Sequence, residues 1–313
     1  MIIALFLILI FAGLLIHGFA YVNDVQRRYH PTGKFLTVDG IRLHYLDLNS
    51  EAEGDPLLLI HGASSSLMDM KLALGDLAQT HRLILVDRPG CGFSDYSQEV
   101  SDLAFQAQLL DGLLQQLGIE KAVVIAQSLG TAIALSMAFN HRSRLSGLLL
   151  LAPVSHRWPG GVDWYNHCAV MPILGHFFRY AVMPFYSRLN ASKVTRDAFW
   201  PNTMPENYTE KAQIPLVFRP RTFKANAETL IRLYPQIARM EAQYETLSLP
   251  LRMLAGTHDA VVLSTIHGMS LRNKVPGATL RYVSGVGHPL HHFCRKEIRE
   301  ELAELEKAIS ADA

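Results

Sequence analysis

The chain has 313 residues, 49% apolar and 18% charged, with a formal net charge of +1; that is too apolar for a charge-rich disordered polymer and sufficient for a large buried core. No long Lys/Arg run is present, so the counterion release that drives nucleic-acid binding has little to act on, and nucleic acid is excluded as an expected partner. Cys91, Cys168 and Cys294 are odd in number and form no C-x-x-C pair, which argues against a disulfide framework and a zinc knuckle.

From Met1 to Val22 there is no Asp, Glu, Lys or Arg, and Ile2 to Ile16 is almost wholly Ile, Leu, Phe and Ala. About 20 apolar residues in a helix cross the hydrocarbon layer, so residues 1–22 are expected to be a single-pass transmembrane anchor. A cleaved signal peptide is the competing reading: Gly18-Phe19-Ala20 fits a small-x-small cleavage site, but the basic n-region is missing. Arg27, Arg28 and Lys34 follow the segment, which by the positive-inside tendency points to a cytoplasmic body. Residues 23–32, charged and containing Pro31, have the composition of a linker.

The globular domain is expected from Gly33. Asp39-Gly40 between Phe35–Val38 and Ile41–Leu46 signals a tight hairpin. Short apolar runs then alternate with helical patterns: Leu57–Ile60, Leu83–Val86, Ala122–Ile125, Leu148–Leu151, Leu251–Leu254 and Thr279–Val283. The fold class implied is α/β, a mostly parallel central sheet with helices on both faces. Between 154 and 247 the alternation stops in a stretch rich in Trp, Tyr, Phe, Pro and Met. The expected organisation is therefore a first core part at 33–153, a helical cap insertion at 154–247 over the ligand end of the sheet, and a second core part at 248–313. Arg295 to Ile309 reads as a closing amphipathic helix.

Residues that carry chemistry fall at the ends of these strands. Ala126-Gln127-Ser128-Leu129-Gly130 puts a serine between a strand and a helix, with small residues two positions away on each side. Such a serine can be lifted above the strand end on a tight, strained turn. His61-Gly62-Ala63, Asp87-Arg88-Pro89-Gly90-Cys91-Gly92-Phe93-Ser94, Gly256-Thr257-His258-Asp259 and Gly285-Val286-Gly287-His288 close other strands. Taken singly, each has an ordinary reading: a serine or aspartate capping a helix, or a His-Gly turn.

Together, and in this order, the segments resemble the α/β-hydrolase family. That resemblance spans essentially Gly33 to the C-terminus; it is strong in the core motifs and weak through the cap. The family's elbow is G-x-S-x-G, from which this chain departs at Ala126. The resemblance implies Ser128 as nucleophile, His288 as general base and Asp259 as the acid that orients it. It further implies an oxyanion hole made by the backbone N–H groups of Ala63 and Leu129. Asp87, Arg88 and Cys91 are read as structural. No cofactor is implied. A metal site at His288, His291 and His292 is not expected, because no carboxylate lies among them and His288 sits in a glycine loop.

The expected activity is serine hydrolysis of carboxylic esters or thioesters of apolar small molecules, since the cap supplies Trp158, Trp164, Tyr165, Phe177, Phe178 and Trp200 among its aromatics. Ser128 argues against the dehalogenases and epoxide hydrolases of the family, which place an aspartate at the elbow. A carbon–carbon bond hydrolase, a haloperoxidase-like member and a non-catalytic membrane-tethered binding protein are the alternatives. Arg219 and Arg221 read as a solvated pair in preference to a carboxylate clamp.

Overall fold

The computed structural model describes residues 2–312. Helix α1 (Ile2–Arg28) precedes the hairpin of β1 (Lys34–Val38) and β2 (Ile41–Leu48). Asp39 and Gly40 both take positive φ at this turn, 47° and 78°, the geometry that lets a two-residue turn follow the strand twist. The core continues through β3 (Leu57–Ile60), α2 (Leu67–Leu74), β4 (Leu83–Val86), α3 (Leu103–Gln116), β5 (Ala122–Gln127), α4 (Leu129–Asn140) and β6 (Leu145–Leu151). The insertion carries α5 (Trp164–Val170), α6 (Leu174–Phe177), a π turn (Phe178–Val182), α7 (Met183–Ala198), α8 (Tyr208–Lys211) and α9 (Pro220–Glu241). Then β7 (Leu251–Gly256), α10 (Gly268–Lys274), β8 (Thr279–Val283) and α11 (Arg295–Asp312) complete the chain.

All eight strands form one sheet in the order β1-β2-β4-β3-β5-β6-β7-β8. The first two pairings are antiparallel and the rest parallel. Every residue of β3, β4, β5 and β6 is buried, which explains why these strands read as unbroken apolar runs. The pleat divides them: Leu58, Ile60, Ile84, Val86 and Val124 face α3 and α4, while Leu57, Leu59, Leu83, Leu85 and Ile125 face α2 and α11. Each such side chain contributes roughly 1.5–3 kcal/mol by leaving water.

Two expectations are corrected. Residues 23–32 are not simply a linker, because α1 continues unbroken to Arg28. Its later turns are held by packing: Tyr21, Val25 and Tyr29 are buried with Leu216, and Tyr29 Oη donates to Glu210 at 2.7 Å. Arg219 and Arg221 are not a matched pair either. Arg219 is partly buried over the Phe93 ring and donates to the Gly92 carbonyl, whereas Arg221 is exposed.

Within α1 the stretch Leu9–Arg28 is long and apolar enough to cross a membrane by length and composition.

Candidate active site

Strand β5 runs into α4 through Ser128, whose φ of 51° and ψ of −123° lie outside the regions open to most L residues. A bend of this kind costs on the order of 1–3 kcal/mol and persists only where its surroundings fix it. Here Ser128 N donates to Leu151 O at 2.9 Å, and the Ser128 carbonyl accepts from Thr131 N at 2.9 Å and Thr131 Oγ1 at 2.6 Å. A Cβ on Gly130 would stand 2.6 Å from the Ile60 carbonyl oxygen, so α4 meets the end of β3 only because that position lacks a side chain. Ala126, by contrast, is fully buried in an ordinary strand pairing between Ile60 and Leu150. Its methyl is core packing and does not distort the elbow.

The three side chains singled out by sequence meet at the ends of β5, β7 and β8. His288 Nε2 lies 3.0 Å from Ser128 Oγ, and His288 Nδ1 lies 2.8 Å from Asp259 Oδ2. An ionised carboxylate can only accept, so Nδ1 carries the hydrogen and Nε2 offers its lone pair to the serine hydroxyl. Asp259 is itself fixed by the N–H groups of Val261 and Val262, which donate to Oδ1 at 2.9 and 2.8 Å. Gly256 makes the approach of the two loops possible, since a Cβ there would fall 2.2 Å from the Val286 carbonyl oxygen.

The Ala63 loop is positioned from behind. Burial drives the His61 pKa down to about 3, so its ring is neutral. Its Nε2 accepts from Arg88 N at 3.0 Å, and its Nδ1 donates to the Gly62 carbonyl at 2.9 Å. Arg88 Nη2 donates to the same carbonyl at 3.0 Å. In a trans peptide C=O and N–H point in opposite directions, so these donors aim the Ala63 N–H away from Arg88. Neither the Ala63 N–H nor the Leu129 N–H has an acceptor among the described residues. Gly62 packs so closely that a Cβ would lie 3.1 Å from Ser128 Cβ and 2.2 Å from Gln127 Oε1.

Asp87 and Cys91 take structural places. Asp87 accepts from Leu67 N at 2.8 Å and Phe93 N at 2.9 Å and pairs with His44 Nδ1 at 2.7 Å. Burial pushes the Cys91 thiol up, the opposite of what a nucleophilic thiolate needs.

The carboxylate absent from the His288–His292 stretch is supplied by α2. Asp69 accepts from Tyr208 Oη at 2.8 Å and His292 Nε2 at 2.7 Å on one oxygen, and from Ser65 Oγ at 3.1 Å and His291 Nε2 at 3.0 Å on the other. Burial alone would raise its pKa, but His291 and His292 hold Asp69 well below the usual carboxylate range. Asp69, His291 and His292 are close enough to hold a metal ion, yet the donor set does not fit one. Tyr208 and Ser65 already occupy one lone pair on each carboxylate oxygen. A metal on His291 Nε2 would moreover force the proton onto Nδ1, which is buried without a partner.

The cap grips this site from three directions. Tyr208 reaches Asp69, as above. Asn226 of α9 accepts from Ser64 N at 2.8 Å and donates to Ser64 Oγ at 3.1 Å, next to Ala63. Asn202 accepts from Gly287 N at 2.9 Å and donates to the Gly285 carbonyl at 3.1 Å, next to His288. Sequence reasoning missed Asp69, Asn202, Tyr208 and Asn226 because their partners are far away in the chain. The only local signal was the unbroken polarity of Ser64-Ser65-Ser66 beside an apolar helix. A cavity of about 530 Å³ lies elsewhere, between α1 and the cap, lined in part by Asp24, Arg28, Ser187 and Arg188.

A family model described as "Alpha/beta hydrolase family" matches residues 57–301. The dihydrolipoyllysine-residue acetyltransferase component of the acetoin cleaving system from Cupriavidus necator is 31% identical over 121 residues, 39% of this chain and 32% of that protein. A 2-hydroxymuconate semialdehyde hydrolase from a Pseudomonas strain is 30% identical over 134 residues, 41% of this chain and 45% of that protein. The chain thus spans about a third to a half of the length of these curated relatives. Among solved structures, a thermophilic esterase from Thermogutta terrifontis superposes with a TM-score of 0.67 at 20% identity, covering 88% of this chain and 99% of that one. At that identity the likeness shows the fold alone.

Proposed function

The chain belongs to the alpha/beta hydrolase family, and on that premise we propose that it is a serine hydrolase acting on carboxylic esters or thioesters of apolar substrates. The observation that carries the reading is the relay from Ser128 Oγ to His288 Nε2 at 3.0 Å and from His288 Nδ1 to Asp259 at 2.8 Å. Ser128 Oγ attacks the acyl carbon while His288 Nε2 takes its proton, and Asp259 stabilises the imidazolium. The negative charge on the former carbonyl oxygen is met by the N–H groups of Ala63 and Leu129, the latter at the start of α4, where the helix dipole adds to it. Collapse expels the alcohol or thiol, which receives the proton from His288. Water then attacks the acyl-serine by the same route, releasing the carboxylic acid and restoring Ser128.

A second reading is carbon–carbon bond hydrolysis, favoured by the relative named 2-hydroxymuconate semialdehyde hydrolase. The test is covalent labelling by a fluorophosphonate, with the adduct mass read on wild type and on Ser128→Ala. Labelling of wild type alone supports the nucleophile. No labelling of folded wild type favours a binding protein of the same fold. Turnover of esters of graded chain length against 2-hydroxymuconate semialdehyde separates the two reactions, and indifference to chain length counts against an apolar acyl pocket.

The body is held at a membrane by α1. Supporting this are the charge-free run to Val22, a stretch long enough to cross, and the exposed apolar side chains of Ile2, Ile3, Leu5, Phe6, Leu9 and Ile10. Arg27 and Arg28 at its end favour a cytoplasmic body.

A further inference from the structure

Helix α1 does not stand clear of the body; it lies along one limb of the cap. Phe11 stacks on Phe177 with ring centroids 4.6 Å apart, and Phe19 packs on Tyr180 at 5.7 Å. His17 meets the edge of Phe185 at 5.8 Å, and Tyr21 Oη lies 2.9 Å from Ser187 Oγ. Gly18 touches the backbone at Tyr180 so closely that any side chain would clash with its carbonyl. The end contacts, Phe11 on Phe177 and Tyr21 on Ser187, show that α1 and this limb of the cap run in the same direction, with His17–Phe185 and Phe19–Tyr180 crossing between them.

This registry turns a statement about α1 into one about the cap. The charge-free run from Ile2 to Val22 is about 31 Å long as a helix, close to the thickness of the hydrocarbon layer. Phe11 then lies about 16 Å from the Val22 end, near the middle. Whatever stacks on Phe11 shares that depth.

The cap is built for it. From Trp164 to Phe178 there is no Asp, Glu, Lys or Arg. α5 and the α6–α7 limb meet at an elbow of 112°, and the side chains there point outward: Ile173 is 85% exposed, Leu174 63% and Trp164 69%. In water such a cluster is unfavourable and marks an interaction surface. Exposed cations begin only at Arg188, followed by Lys193 and Arg196. Arg188 shares a cavity with Asp24 and Arg28 at the far end of α1, the depth at which lipid headgroups stand.

We infer that the elbow of the cap around Met171–Leu174 is itself immersed in the lipid bilayer beside α1, with Arg188, Lys193 and Arg196 at the anionic headgroups, so that the enzyme is seated through its cap as well as tethered by its helix. The inference rests on reading α1 as a membrane segment.

The test uses the full chain in phosphatidylcholine/phosphatidylglycerol vesicles, with the partly accessible Cys168 replaced by serine, the other two cysteines being buried. An environment-sensitive fluorophore is placed on Ile173→Cys or, separately, on Leu9→Cys, and circular dichroism checks folding. At position 173 the expected result is a blue-shifted emission, loss of quenching by iodide, and quenching by doxyl-labelled lipid. A label at 173 open to iodide, with Leu9 in lipid, overturns the inference and leaves the anchor standing. Both labels open to iodide overturn both readings. A label at 173 shielded from iodide yet unquenched by doxyl lipid places protein, not lipid, over the elbow and also overturns it.

Discussion

Arg88 Nη2 donates to the Gly62 carbonyl at 3.0 Å from a wholly buried guanidinium, and through that single peptide it sets the direction of the Ala63 N–H. His61 reinforces the same carbonyl from its neutral ring. The Arg88→Met variant keeps an apolar side chain of similar reach and removes the donor. It is expected to lower kcat by about 10–100-fold, less than the 10²–10³ seen when an oxyanion donor is lost outright. KM should change little, because the bond matters most when charge develops. Steady-state kinetics that show the loss in KM alone would place Arg88 in substrate binding.

Ser128→Ala is expected to abolish fluorophosphonate labelling and to lower kcat on the order of 10⁶-fold. Asp259→Asn keeps the shape but lets the His288 ring take the wrong tautomer, at a cost on the order of 10⁴-fold. Single-turnover kinetics of the two variants, with labelling rates as a second readout, check both.

Tyr208→Phe deletes one of four donors to the buried Asp69 carboxylate. Bonds to charged groups contribute about 1.5–3 kcal/mol, so a destabilisation of about 2 kcal/mol is expected in urea unfolding. Because its folded pKa is depressed, the Asp69 contribution is present in full above about pH 4, the ordinary aspartate value. It is lost as pH falls through the depressed folded value. Asp69→Asn should therefore flatten the acid limb of the stability curve.

Burial lowers four histidines: His61 to about 3, His156 and His267 to about 4, and His291 below its ordinary value. For His267 the hydrogen bonds agree, since Nδ1 accepts from the N–H groups of Ser155 and His156 at 3.3 and 3.1 Å. In each case the folded pKa lies below the ordinary value of about 6.5, so the unfolded chain takes up protons first. Stability is present above about pH 6.5 and is expected to fall as pH drops from there toward 4. Urea midpoints across that window test this; a flat profile would contradict it.

The core was legible because its strands obey one rule. Leu57–Ile60 and Leu83–Val86 are buried on both faces, so they read as unbroken apolar runs of four residues between polar flanks, too short for helices. Ser128, Asp259 and His288 were legible because each sits at a strand end in a motif of small residues. The charged residues and Pro31 of 23–32 have a linker's composition, so local pattern ends the apolar segment at Val22; the structure continues the helix by burying Val25, with Tyr29 just beyond it, against the cap, a tertiary contact that local pattern does not show. The Asp69 cluster escaped for the same reason. Its partners lie 139, 222 and 223 residues away, and no periodicity links them.

Asn202 and Tyr208 give the insertion a role in building the core. Because Asn202 ties down the two glycines before His288 and Tyr208 completes the ring of donors around Asp69, the segment between β6 and β7 is not an exchangeable lid. A chimera carrying a foreign cap without equivalents of these two side chains would inherit the serine, the histidine and the aspartate, yet lack the braces that hold the histidine loop against the sheet. Exchanging caps between relatives would therefore mean keeping this inner edge as it is, whatever is changed elsewhere in the insertion.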